Sequence, residues 1–258
     1  MKILLGLLAF ALATTSTNAE DEVFENGFSA VDPVSIEVAE QRGKEIYERD
    51  QYAWKATDLV VEKGLLSGNH GIIGFLTDIR GKTARTYFFN GTNEAPKIAF
   101  AVKFKGKKKP KLEKRPKSSR RIINRFKARQ LAFSAIDRYC TQNYNTVVLD
   151  DGDNYLVYAL AATTQHNTIV LGGHYRFRVN KETLKLVKKE RLSNGCLEMP
   201  IEAGNYPGTT HLVTDSPLET HTFLSHQHGT IYIITDTGAF SVRDGIIKVL
   251  DTSKDDQT

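Results

Sequence analysis

Apolar and small residues recur at steps of three and four along residues 35–62, which is the spacing of one face of an amphipathic helix. The residues on this face are Ile36, Ala39, Gly43, Ile46, Ala53, Thr57 and Val60. Pro33 and Ser35 are start signals, and the glycine-containing residues 64–71 end the pattern. A second helix is predicted over residues 119–141, where Ile122, Phe126, Phe133, Ile136 and Cys140 share a face.

Alternating apolar and polar residues predict strands after each helix, separated by turn-forming residues. The predicted strands are residues 72–79, 83–89, 98–104, 146–149, 155–163, 168–171, 174–179, 184–191, 209–213, 220–225, 230–235, 239–242 and 246–250. Asp244-Gly245 is a typical tight hairpin turn. The predicted fold class is α+β, with two amphipathic helices packed on antiparallel sheets and a C-terminal all-strand section.

The predicted organisation has two helix-and-strand parts on either side of a basic loop. The first part covers residues 20–104, the loop covers 105–119, and the second part covers 120–250. Residues 251–258 form a polar tail.

One part of the chain resembles a known family. The residues from His174 to Val187, HYRFRVNKETLKLV, resemble the strand-turn-strand ending of a PepSY unit. A helix followed by an antiparallel meander is similar to PepSY and cystatin-like domains over about residues 120–192. The resemblance implies that fold and a binding or inhibitory role for this part, and it does not extend to the rest of the chain.

The first nineteen residues resemble an export signal. Lys2 precedes an apolar run at residues 3–13, and Thr17-Asn18-Ala19 is typical of a cleavage site. Eleven apolar residues are too few to span a bilayer, which needs about 20. We therefore expect a mature chain that begins near Glu20, has no transmembrane segment and is exported to the periplasm or outside the cell.

The formal net charge of +5 hides a strongly basic segment. Residues 103–129 contain fourteen Lys and Arg against one acid, Glu113, whereas the rest of the mature chain is acidic. The candidate binding residues are Lys107, Lys108, Lys109, Lys111, Lys114 and Arg115. Because the only aromatic residues in the segment are Phe104 and Phe126, nucleic acid is disfavoured as the partner. The expected partner is an anionic envelope component or another protein.

Residues 211–228 concentrate reactive side chains, including four of the seven histidines. The candidate catalytic residues are His211, Asp215, Ser216, Glu219, His221 and Ser225, and the candidate ligands of a divalent metal are His226, His228 and His211. If residues 220–226 form a strand, His221 and His226 face opposite sides and cannot share an ion without a bulge. No Gly-x-Ser-x-Gly motif supports a hydrolase.

Cys140 and Cys196 are the only two cysteines. In an oxidising compartment they are able to form a disulfide that closes a loop of 56 residues, and the alternative is two buried thiols. The sequence as a whole favours an exported binding protein. The alternative is a metal-binding protein or a hydrolase that uses residues 211–228.

Overall fold

The computed structural model describes residues 27–66, 70–138, 140–202, 204–210 and 212–250. The predicted export signal and polar tail lie outside these residues, as does His211. The α+β fold class is confirmed, because the described chain combines helices with antiparallel sheets. None of the helices in the described ranges is long and apolar enough to cross a membrane.

Three helices are present in the described chain: α1 (Ile36–Glu62), α2 (Arg120–Ser134) and α3 (Glu219–His228). The hydroxyl of Ser35 caps α1 by accepting a hydrogen bond from the Val38 amide, and that of Ser119 caps α2 in the same way. Helix α2 ends at Ser134 rather than at the predicted residue 141, and residues 135–138 are irregular.

The first sheet is an antiparallel meander in the order β1-β2-β3-β4. Its strands are β1 (Gly74–Arg80), β2 (Thr83–Gly91), β3 (Pro96–Lys105) and β4 (Lys111–Glu113). Strand β4 lies inside the stretch predicted as a loop, and its Leu112 pairs with Val102 on β3. The prediction of a loop throughout residues 105–119 is therefore wrong, because residues 111–113 pair with β3 and Leu112 is half-buried there.

The second sheet has the order β5-β6-β8-β9 and is also antiparallel. Its strands are β5 (Tyr144–Asp151), β6 (Asn154–Ala161), β8 (Tyr175–Asn180) and β9 (Leu186–Arg191). Two short strands, β7 (Thr168–Val170) and β10 (Glu198–Pro200), pair with each other beside it.

The third sheet contains β11 (Gly208–Thr209), β12 (Ile231–Thr235), β13 (Gly238–Arg243) and β14 (Ile246–Leu250) in that order. Residues 230–250 form strands as predicted, and the turn at Asp244-Gly245 joins β13 to β14. The strand predicted over residues 220–225 is wrong, however, because these residues form most of α3. The section after residue 208 is therefore not purely strand.

The helices separate the sheets, so that the first two sheets are covered on both faces. Helix α1 packs on Phe88 and Phe100 of the first sheet, while α2 packs on the opposite face through Phe126, whose ring stacks on Phe89. In the second sheet, Val157 faces α2 and Leu156 faces α1 and α3. This double coverage explains why these strands are apolar on both faces.

Cys140 and Cys196 form a disulfide, with their Cα atoms 5.4 Å apart. It joins the chain just after α2 to the segment between β9 and β10, so that the closed loop contains the whole second sheet. The alternative of two separate thiols is wrong.

Candidate functional site

The basic residues that the sequence singled out lie on an edge hairpin of the first sheet. Strands β3 and β4 are joined by a turn at residues 106–110, and β4 is the outer strand. Gly106 allows the chain to turn because its φ is +54°, which favours glycine. We call residues 105–120 the basic hairpin.

Nine cationic side chains of the basic hairpin are exposed, and none forms an ion pair with another described residue. They are Lys105, Lys107, Lys108, Lys109, Lys111, Lys114, Arg115, Lys117 and Arg120. With Glu113 as the only acid, the basic hairpin carries a formal charge of +8. The structure therefore brings all six predicted binding residues to one exposed, strongly cationic surface.

Glu113 is held on the sheet and not in the turn. Its carboxylate is 3.0 Å from Nε of Arg85 and 3.6 Å from Nζ of Lys103. Lys103 lies directly opposite Lys111 in the β3–β4 pairing, where like charges repel. Glu113 thus offsets the repulsion at the base of the basic hairpin and leaves the charges at its tip uncompensated.

The remaining arginines of the basic segment have internal roles. Arg121 and Arg125 both bind Asp78 and Asp150 at 3.0–3.1 Å, and this clamps α2 to the first two sheets. Burial lowers the pKa of the Arg129 guanidinium to about 10, and this group lies 5.2 Å from the ring centroid of Phe133. The interaction surface is therefore smaller than the basic segment of the sequence.

The two aromatic residues of the basic segment belong to the core. Phe104 is 7% exposed and Phe126 is fully buried. No described aromatic ring within residues 103–129 is therefore available for stacking on a base.

Among the predicted catalytic residues, Glu219 is bound in a buried ionic cluster. Its Oε1 accepts hydrogen bonds from Arg176 at 2.8 Å and from the Tyr158 hydroxyl at 2.7 Å. Arg176 also binds both carboxylate oxygens of Glu190, at 2.6 and 2.8 Å. Burial opposes ionisation of Glu219 and is the largest single influence, but the charge of Arg176 and the hydrogen bonds to the carboxylate together outweigh it and lower the pKa of Glu219. This carboxylate fastens α3 to the second sheet.

His221 and Ser225 are also buried on α3 and have local partners. Nδ1 of His221 accepts a hydrogen bond from the Leu218 amide at 2.9 Å, and burial lowers the pKa of His221 to about 4. Ser225 donates to the Thr222 carbonyl and accepts from the Gly245 amide. His221 therefore stabilises the N-terminus of α3, and Ser225 joins α3 to the turn between β13 and β14.

Asp215 and Ser216 lie in the loop before α3. Asp215 is exposed, and its backbone carbonyl accepts a hydrogen bond from Thr237; the Ser216 carbonyl accepts one from Thr214. The two buried side chains of α3, His221 and Ser225, are already engaged as described above. The geometry supplies no acyl-transfer triad from these described residues.

The predicted metal ligands are also separated by their surroundings. The ring of His226 stacks on Tyr47 with centroids 4.9 Å apart, whereas His228 lines a groove beside β5 and β6. Within the described ranges, no group of three or more His, Cys, Asp or Glu residues has the arrangement of a metal site. His211, the third candidate, lies outside those ranges.

The structure also contains a groove that the sequence did not indicate. Its volume is about 350 Å³, and it lies where α1, β1, β5 and α3 meet. Its lining residues are Asp50, Gln51, Ala53, Trp54, Thr57, Phe75, Asn145 and Gln227. We call it the Trp54 groove. Asn145 and Gln227 are shared with the groove of His228, whose volume is about 190 Å³.

Trp54 is the only tryptophan of the chain and is 59% exposed. Asp50 lies one helical turn before it on α1, and its carboxylate accepts a hydrogen bond from Gln227 at 3.1 Å. Burial raises the pKa of Asp50 to about 6. A titratable group whose pKa is shifted by burial and that lines a groove marks a candidate functional site.

Comparison of the chain with protein-family models, curated proteins and solved structures finds no match in any of the three.

Proposed function

We propose that the protein is an exported binding protein that docks on an anionic membrane surface through the basic hairpin. The observation that carries this proposal is the set of nine exposed cationic side chains without an ion pair to any described residue. The export signal expected from the sequence favours a partner outside the cytoplasm, and lipid headgroups there offer phosphate.

Lysines on an edge strand have a second use, because they prevent sheets from pairing edge to edge. That use accounts for Lys111, which lies on β4. It does not account for Lys107, Lys108 and Lys109, which lie in the turn beyond the strand. The three turn lysines project charge where no strand edge needs protection, and this favours a binding role.

The surroundings of the basic hairpin favour headgroups over nucleic acid. Proteins usually hold single-stranded nucleic acid by stacking aromatic rings on the bases, in addition to charge. The rings of Phe104 and Phe126 are buried and are not accessible to a base. A lipid surface needs only several cations within a Debye length, each worth about 1 kcal/mol. The geometry of the basic hairpin fits this requirement.

Four lysines at the tip of the basic hairpin should account for most of the affinity for anionic membranes. Replacing Lys107, Lys108, Lys109 and Lys111 with Gln lowers the affinity for vesicles that contain anionic phosphatidylglycerol, by on the order of a hundredfold or more. It also flattens the salt dependence of binding, because fewer charges are screened. Co-sedimentation at several salt concentrations measures both effects.

The matched control replaces four exposed lysines elsewhere, Lys55, Lys63, Lys97 and Lys248, with Gln. This variant has the same net charge but should retain most of the affinity. Glu113→Gln should bind more tightly than the parent, because it removes the only acid of the basic hairpin. Equal losses in the two lysine variants would show that only net charge matters and would contradict the proposal. Binding to an acidic polysaccharide without binding to vesicles would contradict the membrane assignment.

A further inference from the structure

We propose that the Trp54 groove binds a small organic ammonium compound, with the carboxylate of Asp50 as counter-ion and the indole of Trp54 against the cationic methyl or methylene groups. This inference concerns α1 and is independent of the role of the basic hairpin.

Asp50 gives the Trp54 groove a negative charge. It is the only charged side chain that lines the Trp54 groove, and it forms no ion pair with a described residue. Burial alone raises its pKa to about 6, so near neutral pH the carboxylate is ionised in a place that disfavours its charge. A bound cation removes that cost, whereas a neutral ligand leaves it.

The neighbouring charged groups do not supply this cation. Arg49, the adjacent residue on α1, binds Glu45 at 3.2 Å. On α3, Gln227 is uncharged and His228 lines the adjoining groove, where burial lowers its pKa. The residues that line the groove from β1 and β5, Phe75 and Asn145, are uncharged. None of the residues that line the groove therefore supplies a counter-charge to Asp50, and no ion pair joins Asp50 to another residue in the described part of the chain.

Trp54 gives the groove an exposed aromatic face. Its face is the strongest of the natural side chains for a cation–π contact, and such a contact is worth about 0.5–2 kcal/mol. An exposed tryptophan within one helical turn of an unpaired carboxylate provides the two parts of an ammonium site, a negative charge and an electron-rich ring. Phe75 also lines the groove, but the Arg129 guanidinium already lies 5.6 Å from the centroid of its ring.

The size and polarity of the groove indicate a small molecule. A volume of about 350 Å³ lies at the lower end of small-molecule sites. Gln51, Thr57, Asn145 and Gln227 provide hydrogen-bonding groups for a polar substituent such as a hydroxyl. The same groups would suit a sugar, but a sugar does not neutralise Asp50. The unpaired carboxylate therefore favours the cation.

The test uses choline and its uncharged isostere 3,3-dimethylbutan-1-ol. Because Trp54 is the only tryptophan, its fluorescence reports directly on the groove. Choline should change the emission in a saturable manner and give heat in calorimetry, whereas the isostere should bind about tenfold more weakly or not at all. Choline binding should also weaken below pH 6, where Asp50 becomes protonated.

Two variants complete the test. Asp50→Asn keeps the shape and the hydrogen-bonding capacity but should lose choline binding by about tenfold or more, and Trp54→Leu should lose about three- to thirtyfold in calorimetry. Both must retain the parent melting temperature within a few degrees, and the basic-hairpin variant should bind choline normally. Equal binding of choline and the isostere, no binding of choline, or a neutral sugar that binds equally to the parent and to Asp50→Asn would each overturn the proposal.

Discussion

His174 and His221 are both buried in the core, and burial lowers the pKa of each imidazole to about 4. His174 accepts a hydrogen bond from the Ala161 amide and lies 3.1 Å from the Val170 carbonyl, which fixes a neutral ring with its proton on Nε2. His221 likewise accepts from the backbone at Nδ1. Both rings serve as uncharged hydrogen-bonding partners of the backbone.

These two histidines make the protein sensitive to acid. Between pH 6.5 and 4 the unfolded chain binds protons that the folded chain excludes, so the free energy of unfolding falls as the pH falls. We expect a loss of about 2 kcal/mol per histidine at pH 5 relative to pH 7.5. Asp50 acts in the opposite direction, because its pKa is raised in the folded state, and Asp50→Asn removes this effect.

Urea unfolding from pH 7.5 to 5 in the Asp50→Asn protein measures the loss. NMR titration of the two imidazoles is the direct check on its cause. A ring of His174 or His221 that titrates near 6.5 in the folded protein would contradict this explanation.

At the scale of the elements, the contact between α1 and α3 depends on Gly43. A Cβ atom at this position would lie 1.7 Å from Oγ1 of Thr222 and 2.8 Å from the Glu219 carbonyl. The Thr222 hydroxyl also donates to the Ala39 carbonyl at 2.8 Å, so α3 lies directly against the backbone of α1 at this point. We expect Gly43→Ala to destabilise the protein by about 2–3 kcal/mol, even though alanine favours an isolated helix by about 1 kcal/mol.

Thr222→Ala, which removes the side chain beyond Cβ, provides the control for Gly43→Ala. The double variant Gly43→Ala/Thr222→Ala should be more stable than the sum of the two single changes predicts, because the shortest clash is gone. Additive free energies of unfolding would show that Gly43 acts through chain flexibility and not through helix contact.

The same helix shows where sequence patterns fail. Thr220, Thr222 and Phe223 are residue types that favour a strand, but every residue from Glu219 to Ser225 is buried in a helix in the structure. A helix covered on all sides has no polar face, so the period of 3.6 residues disappears from its sequence. Helix α1 has an exposed face, and its limits at Ser35 and Glu62 could be predicted closely.

The two candidate surfaces differ in the same way. The basic hairpin is formed by consecutive residues, so its charge is visible in the sequence. The Trp54 groove combines α1 with Asn145 on β5 and Gln227 on α3, which are far apart in the chain. Only the folding of α3 against α1 brings Gln227 to Asp50, and the predicted strand at residues 220–225 gave no reason to expect it.

At the scale of the whole molecule, ionic contacts join the parts that the helices separate. Arg42 on α1 binds Asp151 on β5 at 2.9 Å and Glu219 on α3 at 3.4 Å. Arg178 on β8 binds the same Asp151 and also Asp32, which precedes α1. These ionic contacts thus link the N-terminal segment, α1, the second sheet and α3 to one another.

The disulfide adds a covalent constraint to these contacts. Because it closes a loop of 56 residues, it restricts the unfolded chain far more than the folded one, and we expect its loss to lower the free energy of unfolding by about 3–4 kcal/mol. Urea unfolding with and without reductant measures the effect. The free energy of unfolding of Cys140→Ser/Cys196→Ser should equal that of the reduced parent and should not change when reductant is added. The strands of the second sheet are hydrogen-bonded to one another and both faces of the sheet are packed. The reduced protein should therefore still fold at neutral pH and still bind anionic vesicles and choline. Loss of all structure on reduction would instead show that the disulfide, and not the double coverage of the sheet, holds this part of the fold together.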